Sequence, residues 1–245
     1  MKGATRGKAG IFVCGRFSLT PRAIPELASL FDIAPVEMAG RWNIAPTQSI
    51  AIVRQIRGTR ELTRARWGLL PAWIRHSART PLLINARSET IAEKPAFRDA
   101  LRHRRCLVPV DGFFEWAPPP EGAPRRSAKQ PYWFRILNDK PFALAGLWEG
   151  ASGADEPPSA TLITTEANAC VAPVHDRMPV ILPSDAYEAW LSPLNTDPRT
   201  LLKMLQPYPA ALMTATPVNV RLNAARYDDE SLVEPAEPII QTRLF

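Results

Sequence analysis

The stretch CLVPVDGFFEW, residues 106–116, is almost wholly β-branched, aromatic and apolar, with charge only at Asp111 and Glu115. Residues of this kind suit the pleated, half-buried surface of a sheet, so the run reads as strand. Working outward, the same character returns in SIAIVRQI (49–56), ELTRARWGL (61–69), YWFRIL (132–137), FALAGLWE (142–149), ATLITTEA (160–167), MPVIL (178–182) and ALMTATPVN (211–219), in each case bounded by Pro, Gly or Asp. Helical signals are fewer. TPRAIPELASLFDI (20–33) offers Thr20 as N-cap, Pro21 in the first turn and Leu27, Leu30 and Phe31 at helical spacing. A second helix is expected over 94–104, also opened by a proline, and two short ones over 184–191 and 198–205. The 26 prolines imply a good deal of fixed, irregular connection. The chain is therefore β-dominated α+β. The linker-like stretches APPPEGAPRRSAKQP (117–131) and EGASGADEPPS (149–159) are short enough for surface loops, and no internal repeat is visible, so one domain is expected.

Composition narrows the function classes. A chain of 245 residues with 46% apolar content can bury a proper core. No run approaches the ~18 apolar residues of a membrane span, and MKGATRGKAGIFV lacks a signal peptide's apolar region. A cytoplasmic protein that does not enter the membrane is expected. Cysteines at 14, 106 and 170 are odd in number and show no CxxC spacing, so neither a disulfide framework nor a zinc site is suggested. Cys106 and Cys170 read as buried small hydrophobes. No metal and no organic cofactor is implied. The formal charge of +6 is uneven: FRDALRHRRC (97–106) is basic and RYDDESLVEPAEP (226–238) acidic. Concentrated basic surface permits a polyanionic partner such as nucleic acid.

Polar groups recur where the core signal stops. WNIAPTQ (42–48) places Asn43 after a tryptophan, RWGLLPAW (66–73) ends on Trp73, and LLINARSET (82–90) carries Asn85, Arg87 and Glu89. VDGFFEWAP (110–118) sets Glu115 between Phe114 and Trp116, and VHDRMPVIL (174–182) sets His175, Asp176 and Arg177 before an apolar strand. Each has an ordinary explanation. Glu115 fits the solvent face of an alternating strand, opposite Phe114 and Trp116. His175 fits a hydrogen-bonded structural histidine, Asn85 a turn cap, and the tryptophans the core.

Taken together and in this order, CGRF (14–17), WNIAPTQ, RWGLLPAW, INARSET, KPAF, RRCLVPVDGFFEW, PFALAGLWE, TTEAN and HDRMPVIL resemble the SOS-response-associated peptidase family, also called abasic-site processing proteins. The resemblance runs from Cys14 to about Pro235, leaving residues 1–13 as an extension and 236–245 as a tail. It implies a single domain with a mixed, barrel-like sheet core and flanking short helices. It also implies a monomer that recognises an abasic site in single-stranded DNA, becomes nucleoid-associated when bound, and joins itself covalently to the lesion through an N-terminal cysteine.

That chemistry constrains the chain. The ring-opened abasic sugar carries an aldehyde at C1′; an α-amine converts it to an imine, and a thiol on the same residue adds to the imine carbon to close a five-membered thiazolidine. An internal cysteine has only an amide nitrogen, whose lone pair is delocalised into the carbonyl. Cys14 must then carry a free α-amine, and residues 1–13 are expected to be absent from the working protein. Translation starting at the codon read as Val13, a GTG, followed by loss of the initiator methionine, would do this; so would cleavage of the Val13–Cys14 bond. The first is favoured because valine falls at the one position it requires. By resemblance, Asn85 positions the cysteine or the sugar, Glu115 shuttles protons, and His175 assists at the imine and sugar oxygen. Arg16 and Arg87 hold phosphates, Arg177 is a weaker candidate for the same role, and Trp73 and Trp116 are platforms for unstacked bases. Two alternatives stay open: a thiol peptidase pairing Cys14 with His175, and a module that binds single strands without a covalent bond.

Overall fold

The structure, a computed structural model, describes residues 14–71, 73, 82–118, 128–151 and 156–238. In chain order, β1 (Arg16–Leu19), α1 (Leu27–Phe31) and β2 (Arg41–Ile44) are followed by the hairpin of β3 (Ser49–Ile56) and β4 (Thr59–Trp67). Then come β5 (Asn85–Arg87), α2 (Arg98–His103), β6 (Arg105–Val110), β7 (Gly112–Ala117), β8 (Gln130–Ile136), β9 (Phe142–Glu149) and β10 (Ser159–Glu166). The chain finishes through β11 (Arg177–Pro179), β12 (Ile181–Leu182), α3 (Tyr187–Leu191), α4 (Pro198–Lys203) and β13 (Met213–Pro217).

The strands make two sheets. In the larger, β10, β4, β3, β6 and β9 pair successively and β9 returns to β10, so five strands close into a ring. Its pairings are antiparallel except where β10 runs parallel to β4 and β5, which makes the sheet mixed. The smaller sheet, ordered β13-β8-β7-β1-β2, is antiparallel throughout. The expected β-rich α+β class is what the structure shows. Phe17 of the smaller sheet meets Trp67 of the ring with centroids 4.9 Å apart, and both are buried in one core.

The run 106–116 proves to be two strands rather than one. Val110 ends in the ring and Gly112 begins in the smaller sheet, with Asp111 turning the chain between them. Asp111 holds the crossing by donating its N–H to the Ser18 carbonyl and accepting from the Thr20 N–H and hydroxyl. A Cβ at Gly112 would collide with the Trp133 indole, so only glycine fits. This bond to Asp111 also explains why Thr20 caps no helix. The chain makes a turn, then a 3-10 turn at Ile24–Glu26, and becomes α-helical only at Leu27, beyond Pro25, which has no N–H to give. Similarly, the helix expected from 94 starts at Arg98, and MPVIL divides into β11 and β12. The short strands β1, β2 and β5 carried no clear run in the sequence. No helix among the described residues is long and apolar enough to cross a membrane.

Candidate functional site

β1 lies between β2 and β7, in a register that sets Arg16 across from Phe114 and Phe17 across from Phe113. Alternation along β7 then sends Phe113 into the main core and Phe114 into a second cluster with Val218, Leu222 and Leu232. Both faces of this sheet are covered. Glu115, on the face opposite Phe114 and Trp116, is therefore buried at 2% exposure rather than wet, and the expectation of a solvent-facing glutamate fails for that reason.

Among the described residues the hydrogen-bond partner of the carboxylate is Cys14. The Cys14 main-chain N–H donates to Glu115 Oε1 at 2.6 Å, joining residues 101 positions apart. Burial raises the Glu115 pKa to about 8; the N–H from Cys14 opposes this, Asp176 adds to it, and Lys129 opposes it. Cys14 is itself fully buried, with φ of 44° in the left-handed region, and burial followed by the Glu115 charge pushes its thiol well above the ordinary range.

Above this pair opens a cleft of roughly 470 Å³ lined by Gly15, Arg16, Glu115, Trp116 and His175, together with Pro46, Leu82, Ile84, Lys129 and Asn223. A side chain at Gly15 would meet nothing within 4 Å, so the backbone beside Cys14 faces open space. His175 Nδ1 lies 3.0 Å both from the Arg177 N–H and from the Asp176 carboxylate. One nitrogen cannot accept from the first and donate to the second. Burial lowers the His175 pKa, so the neutral ring accepts from Arg177 at Nδ1 and carries its proton on Nε2.

Arg16 is held by neutral groups. Its NH1 donates to Asn43 Oδ1 at 2.7 Å and to the Leu222 carbonyl at 2.8 Å, while the guanidinium lies 5.8 Å from the Trp116 ring centre. Among the described residues no carboxylate pairs with it, so its charge is left facing the cleft, as an anion site requires. Buried Asn43 extends the support, its Nδ2 donating to the Tyr227 carbonyl at 2.9 Å and to Ala224 at 3.3 Å. The Trp116 indole N–H donates to Asn223 Oδ1, whose amide in turn donates to the Lys129 carbonyl at 3.3 Å.

The structure gathers Cys14, Arg16, Glu115, Trp116 and His175 and sets the other candidates around them. Asn85 opens β5 directly after cleft-lining Ile84, parallel to Leu162 of β10. Arg87 and Arg177 line a neighbouring groove with Asp176 and Glu166. There Arg177 is engaged, its two terminal nitrogens donating to Glu89 at 2.8 and 3.0 Å and to the Thr164 carbonyl at 2.9 Å. Trp73 is 65% exposed and does not line the cleft. Cys106 is buried as expected, whereas Cys170 is only half-buried. Among the described residues no cluster of three or more His, Cys, Asp or Glu side chains could hold a metal. Lys129 and Asn223 were missed by sequence reasoning. The first sits in a linker-like stretch, and the second lies in a segment remote from every motif.

Known proteins place this architecture. A family model described as SOS response associated peptidase matches residues 13–225. Abasic site processing protein YoqW of Bacillus subtilis is 36% identical over 228 residues, covering 91% of this chain and 99% of its own. Abasic site processing protein YedK of Escherichia coli is 29% identical over 189 residues, covering 73% and 79% respectively. A crystal structure of a protein from Bacteroides thetaiotaomicron superposes with a TM-score of 0.73 at 25% identity, over 90% of this chain and all (100%) of that one. A phage-related protein from Bordetella bronchiseptica follows at 0.68 and 28%, over 84% and 94%. With a match from residue 13 to 225 and relatives similar along nearly their whole length, the chain belongs to the SOS response associated peptidase (SRAP) family.

Proposed function

We propose that the protein captures abasic sites in single-stranded DNA as a thiazolidine on Cys14, shielding the lesion. The observation that carries this reading is the 2.6 Å contact between the Cys14 nitrogen and the Glu115 carboxylate at the floor of the cleft. In a chain beginning at Cys14 that nitrogen is an α-amine, whose ordinary pKa is ~8. Burial raises Glu115 to about 8 beside the amide N–H, far nearer to that amine than an ordinary carboxylate, so the uptake of the amine's proton is assigned to it. The freed amine attacks C1′ of the ring-opened sugar, the carbinolamine loses water to give the imine, and the thiol adds to the imine carbon while its proton passes to nitrogen. Glu115 can deliver and retrieve protons at each stage, with His175 across the cleft as a second carrier. Asn85 positions the sugar or the cysteine. Arg16 and Arg87 hold flanking phosphates, with Trp116 and exposed Trp73 as platforms for unstacked bases.

A thiol peptidase has less support. No hydrogen bond joins Cys14 to His175 among the described residues, and the thiol is pushed away from the thiolate such chemistry needs.

The test is intact-mass analysis of the chain starting at Cys14, before and after incubation with a single-stranded oligonucleotide holding one abasic site. A gain equal to the oligonucleotide less one water is expected, and acetylation of the α-amine should abolish it. An adduct that survives acetylation would overturn the thiazolidine.

A further inference from the structure

We propose that Lys129 is a phosphate-binding residue of the cleft, opposite Arg16, so that the DNA strand is held by one cation on each side of the Trp116 indole; this rests on the single-strand reading above. Lys129 immediately precedes β8, whose register against β7 pairs Trp116 with Pro131 and Ala117 with Gln130. Two residues before Pro131, Lys129 falls on the same face of the hairpin as Trp116, and both line the cleft. Its main chain is pinned there by Asn223, the residue that also receives the Trp116 indole N–H. The backbone position is thus tied to the platform, while the exposed side chain stays free to follow a strand.

Its charge is uncancelled. Among the described residues Lys129 has no carboxylate within ion-pair distance, although 24 acidic residues are available in the chain. Arg16 repeats this on the other side, held only by amide and carbonyl oxygens. Two unpaired cations beside an aromatic face suit a chain of phosphates carrying unstacked bases. A neutral or cationic ligand would gain nothing from either. The ammonium reaches the floor as well, since its field counts among the influences that lower the pKa values of Glu115 and His175.

The experiment measures binding of a single-stranded oligonucleotide containing a tetrahydrofuran abasic analogue, which has no aldehyde and forms no covalent bond. Anisotropy titrations across a range of NaCl concentrations give the slope of log K against log salt. Each phosphate contact on a single strand contributes about 0.7 to that slope. Lys129→Met is expected to flatten it by about 0.7, and Lys129→Arg to keep the wild-type value. A Lys129→Met slope equal to wild type, with wild-type binding intact, overturns the assignment of Lys129 alone. Absence of salt-dependent binding by the wild-type protein overturns both this inference and the single-strand reading beneath it.

Discussion

The burial that raises the Glu115 pKa also weakens the fold around it. A carboxyl whose folded-state pKa lies near 8, against ~4.3 unfolded, leaves stability intact at acid pH and lowers it progressively as pH rises from about 4.3 to 8. Glu115→Gln keeps an oxygen for the Cys14 N–H and escapes this loss. In the chain spanning 1–245, its unfolding free energy in urea should match wild type near pH 4 and exceed it by on the order of 5 kcal/mol at pH 9. Adduct formation should meanwhile slow by on the order of 100-fold. An equal stability difference at both pH values would refute the buried-acid account. The sequence displayed Glu115 as a charge inside an apolar run, but its burial comes from the main core that covers the face it shares with Phe113, including Cys14, 101 positions away. The place of Arg16 beside Cys14, and so at the cleft, was legible in the sequence. Its fixing by Asn43 and Leu222 was not, because both contacts are long-range.

Among the elements, α2 and α3 are docked on β6 by Arg105, which is 5% exposed and pairs with no carboxylate among the described residues. It donates instead to the carbonyls of Leu101 and Arg102 near the end of α2, and to those of Trp190 and Ser192 around the end of α3. Last-turn carbonyls lack partners within their own helix and carry its partial negative charge, so one cation satisfies two helix ends. Burial lowers the Arg105 pKa to about 10, still charged at neutral pH. Arg105→Met would leave those carbonyls buried without donors and should cost about 3 kcal/mol in urea unfolding, with Arg105→Lys intermediate. A loss below ~1 kcal/mol would show that water replaces the guanidinium. In sequence this arginine was one of several in FRDALRHRRC and read as basic surface. Only the pairing of β6 inside the ring turns its side chain inward. The helices themselves were found in place but too long, because cap residues such as Thr20 were claimed by tertiary partners.

On the scale of the whole molecule, apolar runs long enough to cross the ring were visible as strands, whereas β1, β2 and β5, which carry or flank the candidate site residues, are too short and polar to announce themselves. The family was legible from motif order and not from any single element. One backbone angle bears on how the working molecule is made. Cys14 holds φ at 44°, a left-handed torsion that costs a residue with a Cβ roughly 1–2 kcal/mol. That torsion is defined by the carbonyl carbon of the preceding residue, and the first residue of a chain has none. The protein spanning 14–245 should therefore unfold with a free energy about 1–2 kcal/mol above that of the protein spanning 1–245, measured side by side in urea. Equal stabilities would mean that Cys14 relaxes in the longer chain. In the proposed capture, loss of residues 1–13 would act twice, turning an amide into a nucleophile and abolishing the very rotation that was strained.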